Sequence, residues 1–215
     1  MEITVLDRII LLVTGIVALY LVYSFYNEYN TFKTGKRYNL WYIAAFAVLF
    51  IAGLLTALFG FNVLAFAFIK IVATIIPFGI ALGLVGEFYP KYYRHYLIFL
   101  IIGFILISLA TTGVLQTRAV YPVFHAITGL TIFFLPVLAT RTKLAPVKFI
   151  WVGVGGALIG VGGLALASLG FGQPLFGIFT NELVFTILTP ILLLMSVSFA
   201  MGFDKGLNIN KIRFL

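Results

Sequence analysis

The sequence contains no cysteine and has few charged residues. The absence of cysteine among 215 residues excludes disulfides, thiolate metal sites, iron–sulfur clusters and a cysteine nucleophile. Charged residues make up 9% of the chain, whereas about a quarter is usual in a soluble domain. A chain of this composition cannot cover its surface with polar groups, so we predict that lipid surrounds most of it.

The charge that is present is mainly positive, with a formal net charge of +8. A nucleic-acid-binding protein would show basic and aromatic residues together on a solvated domain. No stretch of the sequence has that pattern, so we expect no nucleic-acid partner. In membrane proteins, Lys and Arg collect in cytoplasmic loops beside anionic lipid. The partner that the composition predicts is therefore the lipid bilayer.

Seven apolar runs reach the length of about 20 residues that a transmembrane helix needs. They are uniformly apolar and do not alternate, which favours helices over barrel strands. The predicted fold is all-α, an integral membrane bundle of seven transmembrane helices in a single domain over residues 1–215. The predicted spans lie near residues 6–26, 40–59, 62–87, 97–115, 121–140, 147–169 and 180–203.

The basic residues predict the orientation of these helices. On one side of the predicted membrane lie only Arg8 and Arg118, whereas eleven basic residues lie in the odd-numbered loops and the C-terminal tail. This bias places the N-terminus outside and the C-terminus in the cytoplasm, as expected for a multi-pass protein of the cell membrane. The eleven residues are Lys33, Lys36, Arg37, Lys91, Arg94, Arg141, Lys143, Lys148, Lys205, Lys211 and Arg213.

The sixth predicted helix carries a face of small residues. Gly156 and Gly160 form a GxxxG motif, and Gly153 and Gly163 extend the same face. Small residues let helix backbones approach closely in lipid. We therefore predict that this helix lies in the centre of a tight bundle, or that its Gly153–Gly163 face contacts a second copy of the chain or a subunit of a membrane complex.

Lys70 stands inside an otherwise apolar run, AFAFIKIVATIIPFGIAL, at residues 65–82. A charge at the bilayer centre costs about 2.5–3.5 kcal/mol on insertion scales, so the ammonium group needs a headgroup or a partner. It lies about 12 Å into the third span, at 1.5 Å per residue. Its side chain leans toward the helix N-terminus, so one interpretation is that it reaches the outer headgroups. The alternative is an ion pair with Glu182.

A polar stripe on the last predicted helix provides that second interpretation. Glu182, Thr186, Thr189 and Ser196 follow one another at i, i+4, i+7 and i+14, which places them on one helix face. In a lipid-embedded helix, a polar face should point into the bundle. Glu182 would then lie at the outer end of that face, at about the depth of Lys70.

The same outer half collects further polar residues. His125 lies one turn into the fifth span, with Thr128 on the same face, and Asn181 precedes Glu182. We predict an outward-facing polar cavity in which His125 is the titratable group. The predicted ligand-binding residues are Lys70, His125, Thr128, Asn181, Glu182, Thr186 and Thr189. Such a cavity predicts that the protein is a transporter, channel or receptor for a small solute or ion.

Enzymatic and cofactor functions have less support in the sequence. The second histidine, His95, lies on the other side of the predicted membrane, so we expect neither metal ligands nor a haem or other cofactor. No GxSxG, HExxH or phosphate-binding loop occurs. Only Glu87, with Lys91, Arg94 and His95, resembles an interfacial catalytic group, and we assign no catalytic residue. The alternative function is a non-catalytic accessory or scaffold subunit of a larger membrane complex, such as a respiratory-chain assembly.

Overall fold

The computed structural model describes residues 3–31, 36–117, 119–170 and 180–204. The side chains of Leu164, Asn181 and residues 166–170 lie outside this description. Several basic residues that carried the predicted orientation also lie outside it, so the orientation stays a prediction. These residues are Lys33, Arg118, Lys205, Lys211 and Arg213.

The described residues form an all-helical bundle, as predicted. Six helical segments are long and apolar enough to cross a membrane, and a seventh apolar segment, Val147–Gly163, is shorter. The helices are α1 (Val5–Thr31), α2 (Asn39–Phe59), α3 (Ala67–Ala73), α4 (Ile75–Phe88), α5 (Tyr93–Thr111), α6 (Val120–Arg141), α7 (Ile150–Gly170) and α8 (Asn181–Phe203). Helix α5 begins and ends four residues earlier than the span predicted near 97–115, because the polar turn that starts at Tyr93 is already helical.

The third predicted span is broken into two helices. Residues Phe61–Ala65 form a short 3-10 turn, and α3 and α4 meet at Thr74. Pro77 explains the break, because a proline ring clashes with the carbonyl of the fourth residue before it. That residue is Ala73, where α3 ends. Pro77 then lies in the first turn of α4, where its missing N–H group has no helical partner to lose.

Helices α1 and α8 run in the same direction. Near their starts, the hydroxyl of Thr189 donates to Oδ1 of Asp7 over 2.6 Å. Near their ends, the rings of Phe25 and Phe203 lie 5.2 Å apart. Two parallel end helices require an odd number of membrane passes, which agrees with the seven predicted.

Six helices form a closed ring. Each of α1, α2, α4, α6, α7 and α8 contacts the next in that order, and α8 contacts α1. Helix α5 lies outside the ring against α4 and α6, and α3 packs against α5 and α2. We call the end where α1, α4, α6 and α8 terminate the basic end, and the other the far end. The ring therefore has an interior that six different helices can line.

The interior is filled with aromatic rings toward the basic end. We call Phe25, Tyr42, Phe46, Phe149, Phe199 and Phe203 the aromatic cluster. Their neighbouring ring centroids lie 4.5–6.1 Å apart, within the range of favourable stacked and edge-to-face pairs. All six are at most 3% exposed. The aromatic cluster thus closes the ring at this end.

Polar contacts hold the far end together. Thr4 and Asp7 form a capping box at the start of α1: the backbone N–H of Asp7 donates to Thr4 Oγ1 over 3.1 Å, and that of Thr4 to Asp7 Oδ2 over 3.0 Å. The guanidinium of Arg8 donates to the carbonyls of Ala57 and Leu58 at the end of α2. These bonds satisfy helix-terminal groups that would otherwise lack partners.

The glycine face of α7 packs against α6 within the same chain. A Cβ added to Gly156 would lie 2.8 Å from the backbone of Ile132, and one added to Gly153 would lie 3.0 Å from the carbonyl of Phe133. Such approaches need glycine. The tight packing predicted for this helix is therefore observed, whereas contact of the same face with a partner stays a prediction.

Candidate functional site

A cavity of about 200 Å³ lies inside the ring, between the aromatic cluster and the far end. All six ring helices contribute to its wall, together with the turn at Phe61–Ala65 and the end of α3. Most of the wall is apolar, with side chains such as Leu11, Leu188 and Met195. A second hollow of about 490 Å³, beside Leu55 and Phe66, is more open and lies between α2 and α3 at the surface. We take the cavity inside the ring as the candidate site.

His125 is the most polar side chain in the cavity wall. It is 8% exposed, and its Nε2 lies 3.3 Å from the carbonyl oxygen of Ile159 on α7. The ring of Tyr121, one turn earlier on α6, stacks on it with centroids 5.8 Å apart and an interplanar angle of 12°. The imidazole is therefore fixed between its own helix and the backbone of α7.

Gly163 makes room for this imidazole. A Cβ at that position would overlap with Nε2 of His125. Gly163 was predicted to serve helix packing. Its missing side chain also leaves space for the imidazole of His125 in the cavity wall. No sequence pattern pairs Gly163 with His125, because the two residues lie on different helices and meet only in the folded ring.

Two threonines and a tyrosine complete the polar part of the wall. The hydroxyl of Thr14 donates to the carbonyl of Ile10 over 2.9 Å, and that of Thr56 donates to the carbonyl of Ala52 over 2.8 Å. Tyr121 also lines the cavity. These three residues were not among the predicted site residues. In the sequence they look like ordinary hydroxyl groups in apolar helices, because such groups usually bond their own helix.

Of the seven predicted ligand-binding residues, His125 lines the cavity, and two others are buried nearby without lining it. Thr128 is fully buried, but its hydroxyl donates to the carbonyls of Phe124 and His125 in its own helix. Thr189 is also fully buried, and its hydroxyl donates to Asp7. Thr189 thus ties α8 to α1 at the far end.

The structure does not bring Lys70 and Glu182 together. Both side chains are exposed, and Lys70 forms no ion pair with any described residue. Helix α3, which carries Lys70, has no contact with α8. The predicted pair with Glu182 is therefore not formed, and the other interpretation, that Lys70 reaches the outer headgroups, stays a prediction.

The first turns of α8 differ from the predicted inward-facing stripe. Thr186 is exposed like Glu182, and its hydroxyl donates to the Glu182 carbonyl over 2.8 Å. Asn181 begins α8, but its side chain lies outside the described part of the structure. The face that points into the ring instead carries Leu188, Leu192 and Met195. The cavity that the structure describes is therefore mainly apolar, whereas the sequence predicted a polar one.

Glu87 lies at the basic end, away from the cavity. It accepts a hydrogen bond of 3.0 Å from the hydroxyl of Tyr42. Burial, and then the negative charges of Glu87 and Glu28, raise the pKa of the nearby Tyr38. Glu28 also forms an ion pair with Lys36. These contacts describe an interfacial polar network around the first residues of α2.

Neither metal ligation nor similarity to other proteins assigns a function. Within residues 3–31, 36–117, 119–170 and 180–204, no three His, Asp or Glu side chains are grouped to hold a metal ion. No family model, curated protein or solved structure matches the chain. The functional argument therefore rests on the geometry of the cavity.

Proposed function

We propose that this multi-pass membrane protein is a small-solute transporter or receptor that binds its ligand in the central cavity, and that it acts in the cell membrane. The observation that supports this is the cavity of about 200 Å³ within the six-helix ring. A packed bundle has few voids larger than a water molecule. A hollow of this size, with a fixed imidazole in its wall, has the form of a binding site.

The wall favours a neutral ligand. Among the described residues, no charged side chain lines the cavity, and burying an unpaired ion in such surroundings is costly. An engineered apolar cavity of about 150 Å³ in another protein binds benzene. A ligand with about the bulk of one aromatic ring therefore suits this cavity, and a solute fits the wall better than an ion.

Binding is tested by filling the cavity from one side. Gly162 lines it, and among the described atoms a Cβ there would approach only Ile191, at 3.9 Å. Gly162→Leu should therefore occupy the cavity. Gly160→Leu is the matched control, because Gly160 lies on the same helix outside the cavity wall, and no described atom lies within 4 Å of an added Cβ.

The assay is thermal unfolding of the protein in lipid nanodiscs with a panel of small neutral solutes. We expect at least one solute to raise the Tm of the wild type and of Gly160→Leu, but not that of Gly162→Leu. Loss of the effect in both variants, or in neither, would contradict binding in the cavity. Solutes that show this pattern of Tm changes are then tested for uptake into proteoliposomes. Uptake distinguishes a transporter from a receptor.

An accessory subunit of a larger membrane complex is the second candidate function. The peripheral position of α5 favours it, because this helix lies outside the ring and few of its residues are buried. An outer helix with a broad apolar face suits contact with another membrane protein as well as with lipid. Purification from native membranes in mild detergent, with a native mass measurement, distinguishes the two. A stoichiometric complex supports the accessory function, and a lone chain contradicts it.

A further inference from the structure

The hydrogen bond at His125 determines which ring nitrogen carries the proton. A carbonyl oxygen can only accept, so Nε2 must donate to Ile159 across the observed 3.3 Å. In the neutral imidazole the other nitrogen, Nδ1, is then an acceptor. No carboxylate of the described part of the chain lines the cavity to favour the charged ring. The wall therefore presents a lone pair at Nδ1.

This lone pair has no partner in the described part of the chain. The fully enclosed side-chain polar atoms that lack a partner there belong to Asn39 and Thr140, not to His125. Because Nδ1 neither bonds a described residue nor is fully enclosed, it borders open space. His125 forms part of the cavity wall, so we assign this open space to the cavity.

The other polar groups in the wall also accept more than they donate. The hydroxyl groups of Thr14 and Thr56 already donate to carbonyls of their own helices. Toward a ligand they can therefore only accept a hydrogen bond. The Tyr121 hydroxyl can either donate or accept. A ligand that only accepts hydrogen bonds would leave Nδ1 unpaired, and burying an unpaired polar group is unfavourable.

We infer that the cavity takes a small neutral molecule with an apolar body and one O–H or N–H group, which donates a hydrogen bond to Nδ1 of His125. This inference rests on the proposed function and names the chemical class of its ligand. The apolar body fills the space between Leu188 and Met195, and the donor group selects the orientation.

Phenol and toluene are suitable probes, because they have nearly the same size and differ in one O–H group. The protein is labelled with ¹⁵N-histidine and studied by NMR in nanodiscs. The only other histidine is His95, which is exposed near the basic end. His95→Gln therefore leaves His125 as the single signal. The resting spectrum should show the tautomer protonated at Nε2.

We expect phenol to shift the Nδ1 resonance and to bind about five- to tenfold more tightly than toluene, the effect of one hydrogen bond. Affinities are compared at equal probe concentration in the bilayer. In His125→Phe, which keeps a ring but removes the acceptor, phenol and toluene should bind equally. If that variant does not fold, the wild-type comparison and the Nδ1 shift still decide.

The outcomes separate this inference from the proposed function. Equal binding of phenol and toluene to the wild type, both abolished by Gly162→Leu, would overturn the hydrogen-bond inference and leave cavity binding intact. A resting spectrum with the proton on Nδ1 would also overturn it. If neither probe nor any panel solute responds to Gly162→Leu, the proposed function fails, and the inference fails with it.

Discussion

The two halves of the helical ring are filled in different ways. Toward the basic end, six aromatic side chains occupy the interior with centroids 4.5–6.1 Å apart. Toward the far end, aliphatic side chains surround a cavity of about 200 Å³. Lipid gives helices no hydrophobic reason to associate, so packing and polar bonds must hold them together. Packing of aromatic rings holds the helices together in the half at the basic end. In the half at the far end, hydrogen bonds between helix ends contribute more.

This difference separates stability from binding. The aromatic cluster is almost fully buried and joins α1, α2 and α8 to Phe149, the residue before α7. The far half has the contacts of Asp7 with Thr189 and of Arg8 with the end of α2. These contacts fix the helices around a space without filling it. Substitutions in the two halves should therefore have different consequences.

The largest expected effect is the removal of an aromatic ring from the cluster. Phe46 is fully buried and contacts the rings of Phe25, Phe199 and Phe203. Phe→Ala substitutions in cores cost about 3–5 kcal/mol, and lipid removes the part due to transfer from water. We expect Phe46→Ala to lower the free energy of unfolding by about 2–3 kcal/mol, measured by SDS titration in mixed micelles.

Phe61→Ala is the matched substitution in the other half. Phe61 borders the cavity and contacts the ring of Phe185 at 5.5 Å. One side of its ring already faces open space, so it has fewer packing contacts to lose. We expect about half the loss of stability seen for Phe46→Ala. An equal or larger loss would show that the two halves do not differ in packing.

The next effect concerns the fit of His125 against α7. In Gly163→Ala the added methyl group overlaps with Nε2, so the imidazole must move and its bond to Ile159 must break. Overpacking of this kind costs about 1–3 kcal/mol. Gly160→Ala is the control, because nothing lies within 4 Å of its added Cβ. If both variants unfold at the same denaturant concentration, the described fit between α6 and α7 is wrong.

A smaller effect, of opposite sign, is expected at Asn39. This residue is fully buried in the first turn of α2, and neither atom of its side-chain amide has a hydrogen-bond partner among the described residues. An enclosed, unsatisfied polar group costs about 1–3 kcal/mol. Asn39→Leu, of similar size, should therefore raise the free energy of unfolding by about 1–2 kcal/mol. Asn39→Asp, which encloses a more polar group, should lower it, and a stabilising result there would contradict this explanation.

The sequence was sufficient to predict the helices but not their rotation. Length and uniform apolarity identify the spans, because a helix in lipid must satisfy its own backbone. The same uniformity removes the amphipathic signal that tells which face of a helix is buried. Glu182, Thr186 and Thr189 lie on one face of α8 by their spacing, yet Glu182 and Thr186 are exposed whereas Thr189 is buried. Because rotation moves the residues of one face together, their position along the helix decides which of them is buried.

Lys70 shows a further limit of sequence patterns. The pair with Glu182 was predicted from similar depth, but similar depth does not make two helices neighbours. Helix α3 became a short segment because of Pro77, and it packs against α2 and α5. His125, by contrast, is buried and lines the cavity, and a histidine in an apolar span is rare in any arrangement of helices. Its role as a ligand-binding residue stays a prediction.

The smallest expected effect tests this separation of Lys70 from Glu182. In a double-mutant cycle of Lys70→Met and Glu182→Gln, residues without contact or a shared partner should have additive effects, within about 0.3–0.5 kcal/mol. Both side chains are exposed on helices that do not contact each other. A coupling energy above about 1 kcal/mol would instead bring the two charges together. In that case α3 would have to lie against α8 at the far end, next to the cavity, and the ligand could not be assumed neutral.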